Sequence, residues 1–294
     1  MTQHAIHGIV AYTITPFAAD GTPDLDALGK SIDRMIDAGV HAIAPLGSTG
    51  EGAYLSQDEW SAVAERSVQA VAGRVPTVVS VSDLTTANAV SRAKQAEAFG
   101  ADAVMVLPAS YWKLSDAEII AHYQVIGDAI GVPIMLYNNP AVSGIDLSVD
   151  LILKIVDAVD NVTMVKESTG DVQRMHQLYL RTEGRLPFYN GSNPLALEAF
   201  GAGAVGWCTA AANLIPQQNI ALYDAARGGR LTEARDSFYA QLPLLDFILK
   251  GGLPKTIKAG LDMTGLPVGA PRAPVQPLDA AGCARLAEIL AAVH

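Results

Sequence analysis

Residues 103–138, AVMVLPASYWKLSDAEIIAHYQVIGDAIGVPIMLYN, carry the pattern that decides the fold. A short apolar run, AVMVLP (103–108), leads into a polar turn. Ser115-Asp116-Ala117-Glu118 then sets a serine three residues before a glutamate, the signature of a helix-opening capping box. Helical spacing continues over 115–130, and Gly131 suits the left-handed position after a helix. A second apolar run, PIMLYN (133–138), follows at once. Two such runs with a helix between them read as parallel strands buried on both faces.

The same unit repeats in both directions. Further strands are expected at 8–17, 42–47, 77–82, 162–168, 187–191 and 204–209, making eight in all. Helices are expected at 24–38, 57–72, 85–99, 147–158, 171–182, 194–200 and 215–228. Ser56-Gln57-Asp58-Glu59 repeats the capping box, and Gly100 suits a helix C-terminus. Eight strand–helix units predict an α/β fold, a (β/α)8 TIM barrel, over residues 1–228. An open doubly wound sheet would show GxGxxG after the first strand, and TPFAADGTPD has none. Beyond 228 only helices remain, at 230–249, 253–264 and 279–293, with a Pro-rich loop at 267–277. They predict a C-terminal helical region over 229–294 that holds no clustered polar motif.

Composition narrows the function. The 294 residues are 50% hydrophobic and carry a net charge of −10, which disfavours nucleic-acid and anionic-membrane binding. No apolar run approaches the roughly 20 residues of a membrane helix, and no signal peptide is visible. Cys208 and Cys283 form no CxxC, so a reducing, cytoplasmic setting is expected. His4 and His7 read as a solvated N-terminal arm without a metal. His41, His122 and His176 have no nucleophile motif nearby, so a catalytic triad is not expected.

A barrel of this kind places its active site at the C-terminal strand ends. Lys166 stands out there, because it follows the apolar strand Val162-Thr163-Met164-Val165. Burial disfavours an ammonium, whereas a free lysine, with a pKa of about 10.4, is a poor nucleophile at neutral pH. A buried, neutral Lys166 can attack a ketone and form an imine, an electron sink for making or breaking a carbon–carbon bond. The alternative is a lysine that reaches the strand end and pairs with Glu51 or Glu167. Gly47-Ser48-Thr49-Gly50 offers two hydroxyls and exposed backbone N–H groups, a nest for a carboxylate or phosphate. Tyr137, one strand before Lys166, could move protons to and from the imine.

These strand ends resemble the dihydrodipicolinate synthase/N-acetylneuraminate lyase family of class I aldolases. The resemblance spans the chain from Thr15-Pro16-Phe17 to the C-terminal helices. It rests on Gly47-Ser48-Thr49-Gly50-Glu51, on Tyr137-Asn138-x-Pro140 with Ser143-Gly144, and on Val165-Lys166-Glu167-Ser168-x-Gly170-Asp171. It implies that Lys166 forms the Schiff base with pyruvate or a pyruvate-derived keto acid. It makes Tyr137 the proton shuttle, Ser48 its relay partner and Thr49 the holder of the α-carboxylate. Tyr111 matches a tyrosine that, in dihydrodipicolinate synthases, enters the neighbouring subunit's site, and a homotetramer (dimer of dimers) is implied. Gly47, Ser168, Gly191 and Gly206 are expected beside the substrate, Gly206 through its carbonyl next to the imine. No metal or organic cofactor is called for, since the lysine is the electron sink.

Two departures bear on the substrate. Dihydrodipicolinate synthases carry an arginine in the Pro-x-Arg-x-Gly turn, where this chain has Val142. Neuraminate lyases carry an acidic pair after the strand-7 glycine, where this chain has Ser192 and Asn193. The expected substrate is therefore a small keto acid with an uncharged or short polar distal end. Dehydration or deamination of a 2-keto-3-deoxy sugar acid or a hydroxypyrroline carboxylate fits this pattern, and true 4-hydroxy-tetrahydrodipicolinate synthesis fits it less well. A keto-acid-binding protein without turnover is the rival from another class.

Overall fold

A computed structural model describes residues 6–293, so His4 lies outside the described residues. The eight expected strands are β1 (Gly8–Tyr12), β2 (Ala42–Ala44), β3 (Val78–Ser80), β4 (Ala103–Val106), β5 (Ile134–Asn138), β6 (Val162–Glu167), β7 (Phe188–Asn190) and β8 (Gly206–Thr209). All pair in parallel, in the order β2-β1-β8-β7-β6-β5-β4-β3. A parallel bridge between Ile43 and Thr77 joins the two ends of this order, so the sheet closes into a (β/α)8 barrel.

Among the described residues, nine α-helices accompany the strands: α1 (Leu25–Asp37), α2 (Gln57–Val71), α3 (Thr86–Phe99), α4 (Asp116–Gly127), the one-turn α5 (Pro140–Ser143), α6 (Val149–Ala158), α7 (Val172–Thr182), α8 (Ala196–Gly201) and α9 (Pro216–Arg227). Both capping boxes form: Ser56 and Glu59 open α2, and Ser115 and Glu118 open α4. Gly100 closes α3 in the left-handed conformation. Gly131 departs from expectation, because α4 already ends at Gly127. The Asn161 side chain donates to the carbonyls of Gly127, Ile130 and Val132 and so satisfies this helix end without a left-handed glycine.

The helices α10 (Leu231–Gly251), α11 (Leu253–Met263) and α12 (Ala280–Val293) follow, and α10 packs on α9. Among the described residues, no helix is long and apolar enough to cross a membrane. His7 is exposed, as a solvated arm requires, but its ring lies 5.1 Å from that of His41 and within reach of Tyr223.

Candidate active site

Lys166 faces the barrel interior because β6 is irregular. Alternation counted from Val162, which faces the helices, would send Lys166 outward. The register between β5 and β6 skips Thr163: Ile134 pairs with Val162, but Met135 pairs with Met164. This bulge reverses the parity, so Met164 and Lys166 both turn inward. Glu167 points the other way, where it accepts from Asn138 (3.1 Å) and the Arg174 guanidinium (3.3 Å).

Lys166 is only 3% exposed. Neither carboxylate that could have neutralised it does so. Glu167 belongs to Arg174, and Glu51 is held by Lys258 at 2.7 Å. Lys166 Nζ instead lies between two aromatic rings, 3.8 Å from the centroid of Tyr137 and 4.0 Å from that of Tyr12. Asn139 Nδ2 donates to the Tyr137 hydroxyl oxygen at 2.7 Å. Burial alone would raise the Tyr137 pKa. The positive charge of Lys166 and hydrogen bonding from Asn139, Lys166 and Ser48 outweigh it, leaving Tyr137 below its ordinary value. A buried phenol whose pKa lies on the acidic side of normal, beside a lysine, is suited to moving protons at neutral pH.

Gly47, Ser48 and Tyr137 line a cavity of about 370 Å³ at the C-terminal strand ends. A Cβ at Gly47 would stand 2.9 Å from the Tyr12 ring, so glycine is required where the turn crosses that ring. Thr49 is buried within the turn. The turn ends at Glu51, which adopts a left-handed φ of 55° despite its side chain. The Glu51 carboxylate holds this conformation through two contacts from the C-terminal region: Lys258 Nζ and the Arg272 backbone N–H (2.6 Å). Burial pulls the Lys258 ammonium below its ordinary pKa, against the opposing effect of Glu51. Arg272 is fixed in turn by Glu59, whose carboxyl its hydrogen bonds hold down at about 2.

The remaining expected residues divide into two groups. Val142, on α5, lines the cavity at 53% exposure. Gly191 lies against Lys166 and Ser168: a Cβ there would meet Ser168 Oγ at 1.7 Å and Lys166 Cε at 2.7 Å. Ser168 Oγ is buried and has no hydrogen-bond partner among the described residues. Asn193 is used internally, accepting from Thr209 at 2.9 Å, and Ser192 is bound through its backbone to Asn190. Gly206 starts β8 against Gly8 and the Tyr189 ring, and the β8 residue whose charge environment includes Lys166 is Cys208. Tyr111 is 88% exposed on the β4 loop, edge-on to Trp112.

Sequence reasoning missed Tyr12, Asn139, Lys258 and Arg272, together with the cavity-lining Leu253, Pro254 and Val275. Tyr12 had a signal: it is the one aromatic residue within the aliphatic run GIVAY. The C-terminal residues had none, because they reach the site only through tertiary contact.

A model of the dihydrodipicolinate synthetase family matches residues 5–293. The chain belongs to that family. Members of the family are lyases of the class I, Schiff-base type, and so is this chain. It is 32% identical to the 4-hydroxy-tetrahydrodipicolinate synthase of Exiguobacterium sibiricum over 276 residues, 94% of each protein. It is also 32% identical to the enzyme of that name from Phenylobacterium zucineum over 294 residues, covering 100% of this chain and 98% of the relative. Among solved structures, a provisional dihydrodipicolinate synthetase from Pseudomonas aeruginosa superposes with a TM-score of 0.98 at 68% identity, covering 99% of this chain and 100% of that one. The 4-hydroxy-tetrahydrodipicolinate synthase of Methylacidiphilum fumariolicum superposes at 0.95 with 29% identity, covering 98% and 96%.

Proposed function

We propose that this family member acts on a pyruvate-derived 2-keto acid through a Schiff base on Lys166. The observation that carries the reading is a lysine sealed in the barrel without a carboxylate partner, beside a tyrosine of lowered pKa. The neutral amine attacks the C2 carbonyl, and the carbinolamine loses water to give a cationic imine. The α-carboxylate lies on the Ser48-Thr49 turn, with the orphaned Ser168 hydroxyl a further donor within the site. Tyr137, relayed by Ser48, moves protons between the departing oxygen, the imine and C3. The resulting enamine adds to a carbonyl, or forms when a bond beyond C3 breaks.

Val142 and the cavity walls favour a substrate whose distal end carries no carboxylate. The cavity is lined mainly by aliphatic groups, with the hydroxyls of Ser48, Tyr54, Ser80, Ser82 and Tyr137 and the Glu51 side chain, and among the described residues no lysine, arginine or histidine lines it. This supports dehydration or deamination of a 2-keto-3-deoxy sugar acid or hydroxypyrroline carboxylate over condensation with an acidic aldehyde. A binding protein without turnover has no use for a paired lysine and tyrosine. We also propose a homotetramer in the cytoplasm, in which Tyr111 enters a neighbouring subunit's site. Its support is the pair Tyr111 and Trp112, 88% and 77% exposed, and a monomer in sedimentation velocity at micromolar concentration would exclude it.

The test is chemical trapping. Borohydride with pyruvate should inactivate the protein and leave a reduced pyruvate adduct on the peptide containing Lys166. Lys166→Arg should give no adduct, because a guanidinium stays protonated. An adduct on another residue, or none in the unmodified protein, would overturn the mechanism.

A further inference from the structure

We propose that Tyr12 is a positioning residue for the reacting amine, forming with Tyr137 an aromatic clamp that aims Lys166 Nζ at the keto acid and favours the cationic imine. The inference rests on the Schiff-base reading above. Tyr12 lies on β1, which is not adjacent to β6 in the barrel, so the contact crosses the interior. Its hydroxyl donates to Met105 Sδ at 2.8 Å, which fixes the ring and occupies the proton. Burial raises its pKa well above the ordinary value, so the phenol stays neutral and serves as a face, not a base. The edge of the same ring supports Gly47. Tyr12 therefore touches the amine on one side and the carboxylate turn on the other. It sets the spacing between the two groups that must grip C2 and C1 of one keto acid.

The charge balance gives the clamp its second role. Imine formation joins Nζ to C2 and expels the carbonyl oxygen as water, with one proton taken up. The nitrogen keeps one hydrogen and a positive charge. The groups packed around Lys166 are Tyr137 on β5, Tyr189 on β7 and Cys208 on β8, with Tyr12 on β1. Tyr189 donates to the Ile6 carbonyl, and burial pushes the Cys208 thiol up to about 11, so neither supplies an anion near neutral pH. Glu167 points outward to Arg174, and Glu51 is neutralised by Lys258. The new cation therefore meets two π faces where other sites supply a carboxylate. A desolvated cation–π contact corresponds to roughly 30-fold in an equilibrium constant.

The experiment compares Tyr12→Phe, Tyr12→Leu and a variant carrying 3,4,5-trifluorophenylalanine at position 12. Each is assayed by borohydride trapping with pyruvate across pH and by circular dichroism. Tyr12→Phe keeps the face and should trap within about threefold of the unmodified protein. Tyr12→Leu should need about 10- to 30-fold more pyruvate for half-maximal trapping. The trifluorinated ring has nearly the shape of phenylalanine and a weaker face, so it separates electrostatics from packing if Tyr12→Leu fails to fold. Trapping by the fluorinated variant equal to that of Tyr12→Phe, or by a folded Tyr12→Leu equal to the unmodified protein, overturns the inference. Absence of trapping in the unmodified protein overturns the Schiff-base reading with it.

Discussion

The two apolar layers of this barrel are made of different residues. Between strands and helices lie mainly aliphatic groups, among them Ile9, Ile43, Val79, Val104, Ile134, Leu136 and Val165, with Phe188 and Trp207 as aromatic exceptions on β7 and β8. Inside the barrel the same strands present Tyr12, Met105, Met135, Tyr137, Met164, Tyr189 and Cys208 among the smaller Val10, Ala42, Ala44, Val78 and Ala103, with Lys166 against Tyr12 and Tyr137. The outer layer needs volume and stiffness, which β-branched residues supply on a pleated surface. The inner layer must also hold an amine and three phenols out of water. Soft thioethers and aromatic faces can do so without an ion pair. Adjacent positions on one strand thus answer to different demands: Leu136 to packing, Tyr137 to chemistry.

That contrast breaks most sharply at Tyr137. Tyr137→Phe keeps the ring against Lys166 but removes the hydroxyl, and should lower kcat by roughly 10²- to 10⁴-fold while keto-acid binding changes little. Steady-state kinetics decide: a variant within threefold of the unmodified protein would make Tyr137 a packing residue like its neighbour. A smaller effect is expected at the cavity rim. Aspartate semialdehyde should be a poor co-substrate with pyruvate, and Val142→Arg should raise its kcat/KM by about 100-fold by supplying two charge-assisted hydrogen bonds. An unmodified kcat/KM of roughly 10⁴ M⁻¹s⁻¹ or more would refute this. Lys113, exposed on the β4 loop, would then be the first carboxylate partner to remove. The smallest effect on catalysis belongs to the outer layer. Leu136→Ala should cost about 2–5 kcal/mol of stability in denaturant unfolding, yet leave kcat/KM per folded molecule within about twofold. A large kinetic defect there would show that the two layers are not separable.

The outer layer is also the part that was readable in advance. Apolar runs and helical spacing placed all eight strands, and the serine–glutamate pairs marked where α2 and α4 begin, because these signals are local. Lys166, Tyr137 and the Gly47 turn were legible from their places at strand ends. Their surroundings were not. The bulge at Thr163 leaves no mark in an apolar run, yet it decides which way Lys166 points. Cys208, two residues beyond Gly206 on β8, senses the charge of Lys166, a relation that strand stagger makes invisible in a single chain segment. Leu253, Pro254 and Val275 reach the cavity only after the C-terminal helices dock.

The ion pair between Glu51 and Lys258 has a consequence in time. The carboxylate turn is synthesised early, and its Arg272 contact lies 221 residues further along the chain. Until Lys258 and Arg272 leave the ribosome, Glu51 is an acid with no cation to accompany it into the interior, a burial that costs about 3–5 kcal/mol for an unpaired charge. A nascent barrel can therefore close its strands while this turn stays hydrated. The site matures last, at the arrival of residues that never touch the substrate's reacting atoms.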